Sequence, residues 1–282
     1  MSLKTRRSVA RRTGRRLARP LQRSVQPARQ TAQLYPVNHP EPLVSVIIPA
    51  MNEAGTIAKA IAGARGVHPR CEVIVISNGS ADGTEAIARN CGAHVITFDE
   101  PLGHDVGRGI GAEAAKGDIL LFTDGDLMLS ASLLRPFVKA IAGGVDVALN
   151  DYSGPVRSTC PHPVVLSKHV LNIMLDRPDL KGCSMTAVPH AMSRRALQVL
   201  GTSILSRPPV AHVYAVLEGL RVEPVHAVPV GKLNAVRRKK DGKDPLQHLV
   251  VTDHLEAIDL VLKRRGSRAG FPDGARRREL VR

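Results

Sequence analysis

Gly117-Asp118-Ile119-Leu120-Leu121-Phe122-Thr123-Asp124-Gly125-Asp126 joins a short apolar run to two acids separated by a single glycine. An apolar run of this length, Asp118 to Thr123, reads as a buried strand of a parallel sheet. Two carboxylates that emerge together where a strand ends repel each other unless a cation or a basic group lies between them. Their hard oxygens suit Mg²⁺ or Mn²⁺, and such an ion commonly also holds a diphosphate. The same Asp-Gly-Asp also occurs in plain surface turns; its place directly behind a strand favours the metal.

Working outward, the same grammar repeats. Leu43 to Pro49 (LVSVIIP) is β-branched and apolar and predicts a first buried strand. Gly55 to Arg65 follows at helical spacing. Glu72 to Ser77 predicts a strand, Gly83 to Asn90 a helix, His94 to Phe98 a strand, and Gly107 to Lys116 a Gly- and Ala-rich helix. Strands alternating with helices of about ten residues are βαβ units, which build a parallel sheet covered on both faces. The fold class is therefore α/β: one Rossmann-like domain with a mostly parallel central sheet flanked by helices. Ligands of such sheets bind beyond the carboxyl ends of the strands. The loops that begin near Pro49, Ser77, Phe98 and Thr123 share that edge.

The second half is less regular. Helices are expected over Ser130–Ala142, Val164–Leu175, Arg194–Leu200 and Leu246–Leu262, and a strand over Val145–Leu149. Residues 180–193 suggest strand and turn. Leu220 to Val230 is a strand candidate interrupted by Pro224 and Pro229, which suits a sheet edge. No internal repeat is present.

Charge divides the chain. The net charge is +15, yet residues 1–40 hold ten Lys or Arg and no acid, and residues 263–282 add a further +6. The body is left near neutral. The organisation expected is a basic, mostly disordered arm over 1–40, a folded domain over 41–262 and a basic tail over 263–282. The basic ends suit electrostatic contact with an anionic membrane or simple solvation. Aromatics make up only 2 %, with no Trp, which argues against base-stacking recognition of single-stranded nucleic acid. Four cysteines without a CxxC pair suggest neither a zinc site nor a disulfide framework. No apolar run approaches the roughly 20 residues needed to span a bilayer. A cytoplasmic location, at or near the inner face of the membrane, is expected; the Arg-rich N-terminus also has the composition of an organelle transit peptide.

Three blocks together resemble family 2 glycosyltransferases, in the family's order and rough spacing: Val44–Glu53 (VSVIIPAMNE), Val75–Thr84 (VISNGSADGT) and Gly117–Asp126. The likeness covers about residues 43–130 and loosens beyond 150. It implies a glycosyltransferase A-type fold over 41–262, with 41–130 as the nucleotide-sugar-binding half and 131–262 as the acceptor-side half, and a nucleotide-diphosphate sugar donor, with a UDP-sugar favoured. It places Pro49, Ala50, Asn52 and Glu53 against base and ribose, and Asn78 at the base edge, where many members carry Asp-Asp. It assigns Asp124 to the ribose side and Asp126 to metal ligation, with both acids serving the Mg²⁺ or Mn²⁺. Family members often carry a basic residue among glycines after the third strand, which points to His104 and Arg108. A late histidine completes the metal shell in some relatives, and His254 is the candidate. The Leu180–Pro189 loop, with Gly182, resembles the loop beneath the donor sugar, and Gly231 to Asn234 is a segment that can close over the phosphates.

Each of these residues has a plainer role open to it. Asn52 and Glu53 suit the start of a helix. Asn78, Ser80 and Asp82 are ordinary turn and capping residues, Asp82 above all. Arg108 is equally at home on a helix surface. A carboxylate must deprotonate the acceptor hydroxyl if the reaction inverts. Asp176, Asp179 and Glu218 are its candidates, with Asp126 acting at the leaving group. The acceptor stays open between a glycan and a lipid-linked molecule. The alternative function is a non-catalytic scaffold whose basic ends bind membrane or nucleic acid. A sugar nucleotidyltransferase fits less well, because its Gly-rich loop after the first strand is missing.

Overall fold

The computed structural model describes residues 37–154, 156, 159–233, 246–277 and 280. Residues 1–36 of the basic arm, Asn234 and the last residues of the tail lie outside that set. The described residues fall in one unit, Tyr35–Arg282.

The first half alternates as its apolar runs dictate: β1 (Val44–Ala50), α1 (Ile57–Arg65), β2 (Cys71–Asn78), α2 (Thr84–Asn90), β3 (His94–Phe98), α3 (Val106–Ala114) and β4 (Ile119–Phe122). The second half adds α4 (Ala131–Ala142), β5 (Val147–Asn150), α5 (Pro163–Met174), β6 (His190–Ser193), α6 (Arg194–Leu200), α7 (Pro208–Leu217), β7 (Val222–His226), α8 (Val230–Leu233) and α9 (Gln247–Arg265). The seven strands form one sheet in the order β3-β2-β1-β4-β6-β5-β7. All pairings are parallel except those of β6, which runs against β4 on one side and β5 on the other. The carboxyl ends of β1, β2 and β4 therefore share one edge, and β7 enters the sheet from the opposite one.

Aliphatic side chains fill both faces. Val46, Ile48, Val73 and Val75 point into the layer under α1 and α4. Ile47, Ile74, Ile76 and Leu120 point into the layer under α3, α6 and α7. The alternation follows from the period of two along a strand. α3 lies unusually close: a Cβ at Gly111 would sit 2.4 Å from Ile47 Cγ2 and 2.7 Å from Ile76 Cδ1. Gly107 and Gly111 of α3 thus serve helix-on-sheet packing, whereas Gly109 lies against the Thr202 carbonyl.

Two elements differ from expectation. Residues 180–193 hold strand only at His190–Ser193, and the preceding loop opens with a 3₁₀ turn at Pro178–Leu180. α7 had no sequence expectation at all. Seven of its ten residues are buried, so it carries no amphipathic stripe. The proline-bearing strand lies at the sheet edge, with a register irregularity opposite Leu149 and Asn150, as Pro224 requires. α9 runs to Arg265, three residues into the basic stretch. Asn38 already belongs to the folded body: it exchanges two hydrogen bonds with the Val73 backbone.

Candidate active site

At the carboxyl edge the loops after β1 and β2 are stitched together. Asn52 takes a left-handed backbone (φ 58°). Its N–H donates to Ser80 Oγ, and its side-chain carbonyl accepts from the Ala81 N–H at 2.9 Å. Asp82 accepts from the backbone N–H groups of Ala54 and Thr84, both at 3.0 Å. Hydrogen bonds from Thr84 and Ala54 hold its carboxyl below the usual carboxylate range. The Glu53 N–H donates to Thr84 Oγ1 at 2.7 Å, which fixes Glu53 in a buried position beside the cleft. Asn52 and Asp82 are therefore clasps between two loops.

Asn78 does the same job one loop further on. Its amide donates to the Gly103 carbonyl at 3.2 Å and accepts from the Leu102 N–H at 2.7 Å. These bonds pin the loop between β3 and α3, so the group expected at a base edge is already engaged with protein backbone.

The acid pair sits against this framework. The Gly125 N–H donates to the Pro49 carbonyl at 3.1 Å, extending the β1–β4 contact one step past the strands. A Cβ at Gly125 would lie 2.9 Å from Ala50 Cβ and 3.3 Å from Glu53 Cγ, so the Asp-Gly-Asp turn rests directly on the first loop. Asp124 is flanked by Arg108, whose Nη2 stands 3.7 Å from Asp124 Oδ1 and 3.0 Å from Asp105 Oδ1. The Asp124 side chain keeps about a third of its surface open (36 %). Burial of its carboxyl group raises its pKa; Arg108 opposes the rise, and Asp126 and Asp105 add to it. Three acids around one arginine leave an excess of negative charge at the mouth of the cleft, which a divalent cation would offset. A pair of carboxylates is also the protein share that Mg²⁺ or Mn²⁺ takes when a diphosphate and water complete its shell. The donor set fits the ion.

Beneath the pair, Arg108 is only 4 % exposed and donates to the Met185 carbonyl at 3.3 Å. His190 stacks on Phe122, with ring centroids 4.9 Å apart. Burial, with Arg108 nearby, drives its pKa down to about 3. His104 lies beside Asp105, 3.4 Å away. The structure thus brings together Pro49, Ala50, Asn52, Glu53, Asn78, His104, Arg108, Asp124 and Asp126. It adds Asp105, Met185 and His190, which sequence reasoning missed. Asp105 and His190 gain meaning only from the fold: one pairs with a buried arginine, the other comes from the reversed strand β6.

Three expected residues stand elsewhere. Asp179 forms a two-pronged ion pair with Arg177, at 2.9 and 2.7 Å, and Arg177 also donates to the Val222 carbonyl at the start of β7. Glu218 ends α7 ahead of β7, at the opposite edge of the sheet, and its only ion-pair contact among the described residues is Arg264 at 4.0 Å. Their carboxylates are not gathered with Asp124. His254 is buried on α9; its Nδ1–H donates to the Val250 carbonyl at 2.6 Å. Its Nε2 is left as a buried lone pair without a partner. Among the described residues no group of three metal-ligating side chains forms, so His254 does not join the acid pair. Burial raises the pKa of its neighbour Asp253, Glu256 and Asp105 add to the rise, and His104 and Arg207 oppose it.

The family model described as glycosyl transferase family 2 matches residues 45–196. Glycosyltransferase AglE of Haloferax volcanii is 38 % identical over 130 residues, 43 % of this chain and 41 % of that protein. Glucosyl-3-phosphoglycerate synthase of Mycobacterium tuberculosis is 32 % identical over 131 residues, 40 % of this chain and 39 % of its own length. The matched stretch thus spans about two fifths of these curated relatives. The crystal structure of the mycobacterial synthase with Mn²⁺, UDP-glucose and phosphoglyceric acid superposes with a TM-score of 0.57 at 25 % identity, covering 83 % of this chain and 82 % of that one. Another crystal structure of that synthase, in complex with phosphoglyceric acid, gives a TM-score of 0.58 at 24 % identity, covering 83 % of this chain and 82 % of that one.

Proposed function

The chain belongs to glycosyl transferase family 2, and from that premise we propose that it moves a sugar from a nucleotide-diphosphate donor, favouring a UDP-sugar, to an acceptor hydroxyl. The observation that carries the reading is the seating of Asp124-Gly125-Asp126 on Ala50 and Glu53 with Arg108 behind it. Pro49, Ala50 and Glu53 wall the nucleotide cleft. Asn52 and Asn78 hold its loops in place. Asp124 and Asp126 would hold the Mg²⁺ or Mn²⁺, which would supply charge to offset that on the leaving diphosphate.

Arg108 keeps Asp124 and Asp105 oriented at fixed distances and supplies positive charge where the diphosphate departs. Such preorganised charge acts strongly because the residues around it exclude water. His190, held neutral, closes the floor of the cleft with Phe122 and keeps it dry. The acid that takes the acceptor's proton, if the reaction inverts, is better sought at Asp253 than at Asp179 or Glu218. Among the described residues no helix is long and apolar enough to cross a bilayer. The expected attachment to anionic membrane, and with it a cytoplasmic location, rests on the basic ends alone.

The test is thermal stability with a panel of nucleoside diphosphates, each with and without Mn²⁺. A ligand bound only by the folded state adds about 2.7 kcal/mol at a hundred times its dissociation constant. UDP should stabilise the protein in a Mn²⁺-dependent manner, and Asp126→Ala should abolish the shift. A stabilisation by UDP that ignores both Mn²⁺ and Asp126→Ala would remove the metal from the reading. No shift with any diphosphate would favour a non-catalytic scaffold.

A further inference from the structure

The segment between the 3₁₀ turn at Pro178–Leu180 and β6 lies in no strand or helix, yet it carries the Met185 carbonyl that accepts from Arg108. Two buried asparagines fasten it. Asn172, on α5 and 1 % exposed, donates from its amide to the Lys181 carbonyl at 2.9 Å and to the Cys183 carbonyl at 2.8 Å. Asn150, at the end of β5, donates to the Val188 carbonyl at 3.0 Å, on the far side of Met185. Asn150 also bonds both the carbonyl and the N–H of Val228, so it belongs equally to the stretch that follows β7. The bonds that the Asn172 amide donates go to the segment.

The Asn172 clamp is itself oriented. An amide that donates twice turns its oxygen to the remaining partner, and Asn172 Oδ1 meets His212 Nε2 at 2.8 Å. His212 is fully buried on α7, and burial lowers its pKa to about 3. The neutral ring carries one proton, which the amide oxygen draws to Nε2; Nδ1 is left as a buried lone pair without a partner.

The clamp closes where the backbone needs holding. Lys181 takes a left-handed φ of 52°, which a residue with a Cβ keeps only when its surroundings impose it. The Gly182 N–H, between the two clamped carbonyls, donates to Ser153 Oγ at 3.1 Å. Two residues past Cys183, the Met185 carbonyl accepts from Arg108 Nη1 at 3.3 Å, and Arg108 Nη2 stands 3.7 Å from Asp124 Oδ1. Direct contacts thus lead from His212 through Asn172 and residues 181–185 to the acid pair.

We infer that Asn172, oriented by His212, is a positioning residue: it sets the place of the Met185 carbonyl, and so the place of the Arg108 guanidinium against Asp124, where the donor's diphosphate leaves. The inference rests on the transferase reading of that site. Asn172 and His212 act through Arg108 and not on the substrate.

The experiment measures UDP binding with Mn²⁺ by calorimetry. It uses the full chain, Asn172→Ala, His212→Leu and His212→Gln, and Arg108→Met alone and combined with Asn172→Ala. Asn172→Ala and His212→Leu should each weaken UDP about five-fold or more. His212→Gln keeps an N–H donor for Asn172 Oδ1 and should stay within about two-fold of the wild type. In the Arg108→Met background, Asn172→Ala should add less than about two-fold, because the residue through which it acts is gone. A merely structural Asn172 would not depend on Arg108 in this way. Wild-type affinity in Asn172→Ala, or an undiminished further loss in the Arg108→Met background, overturns the inference and leaves the donor reading intact. Absence of UDP binding by the wild type would sink the donor reading, and the inference with it. If Asn172→Ala does not fold, the two His212 variants decide: a gap of about five-fold between Leu and Gln supports the clamp, and equal affinities overturn it.

Discussion

Arg108 shows how much of the site one side chain holds. It is buried, faces Asp105 and Asp124, and donates to the Met185 carbonyl. Arg108→Met keeps the length of the side chain and removes the charge, leaving two acids without their shared partner. Breaking a buried pair in this way costs about 3–5 kcal/mol. A fall of that size in the urea-unfolding free energy is expected, together with weaker UDP binding. Unchanged stability would mean that Arg108 is not the electrostatic centre of the cleft. Asp124 and Asp126 stand out in the sequence because the signal is local: a strand ends and two acids follow. Asn78 was legible only as a polar residue in the right loop. Its engagement with Leu102 and Gly103 depends on a segment 24 and 25 residues away, and no spacing rule reaches that far.

At the scale of elements, the close seating of α3 on the sheet sets a sharp contrast between two glycines. Gly111→Ala would push a methyl to within 2.4 Å of Ile47, whereas a Cβ at Gly55 meets nothing within 4 Å. Overpacking of this kind costs about 1–3 kcal/mol, so Gly111→Ala should lower the urea midpoint and Gly55→Ala should leave it nearly unchanged. Equal effects would show that α3 can move off the sheet freely. The four strands of the first half were legible to within a residue or two, since doubly covered parallel strands appear as unbroken apolar runs. α7 was illegible for the opposite reason. It begins Pro208-Pro209, which resembles a break, and it is buried on nearly every side, which erases the helical period. The surroundings of Asp179 and Glu218, an ion pair with Arg177 and one with Arg264, depend on tertiary packing that no local pattern shows.

For the molecule as a whole, acid sensitivity follows from its buried imidazoles. His190 and His212 are pushed down to about 3, and His254 to about 4, mainly by burial. The unfolded chain ionises histidine near its ordinary pKa of about 6.5, so between that pH and about 4 it binds more protons than the folded chain. Stability is therefore full above about pH 6.5 and falls as the pH is lowered. Each group contributes at most about 1.4 kcal/mol per pH unit. Urea midpoints should decline between pH 6.5 and 5, before the carboxylates begin to titrate, and His254→Leu should make the decline shallower. A flat profile over that range would show that the imidazoles reach solvent.

The reversed strand β6 carries one more consequence. It comes from the second half of the domain, lies against β4 of the first half and separates β4 from β5. The two halves lie side by side in one sheet, β3-β2-β1-β4 and then β6-β5-β7, and the β4–β6 seam joins them, so neither is a detachable cassette. A fragment of residues 37–145 would end with Ile119-Leu120-Leu121-Phe122 as a bare sheet margin, a sticky one by composition. Such a fragment should precipitate on its own and dissolve only when the missing half is co-expressed. Grafting one half onto the other half of a different family member would then fail unless β6 travels with the β4 it was fitted to.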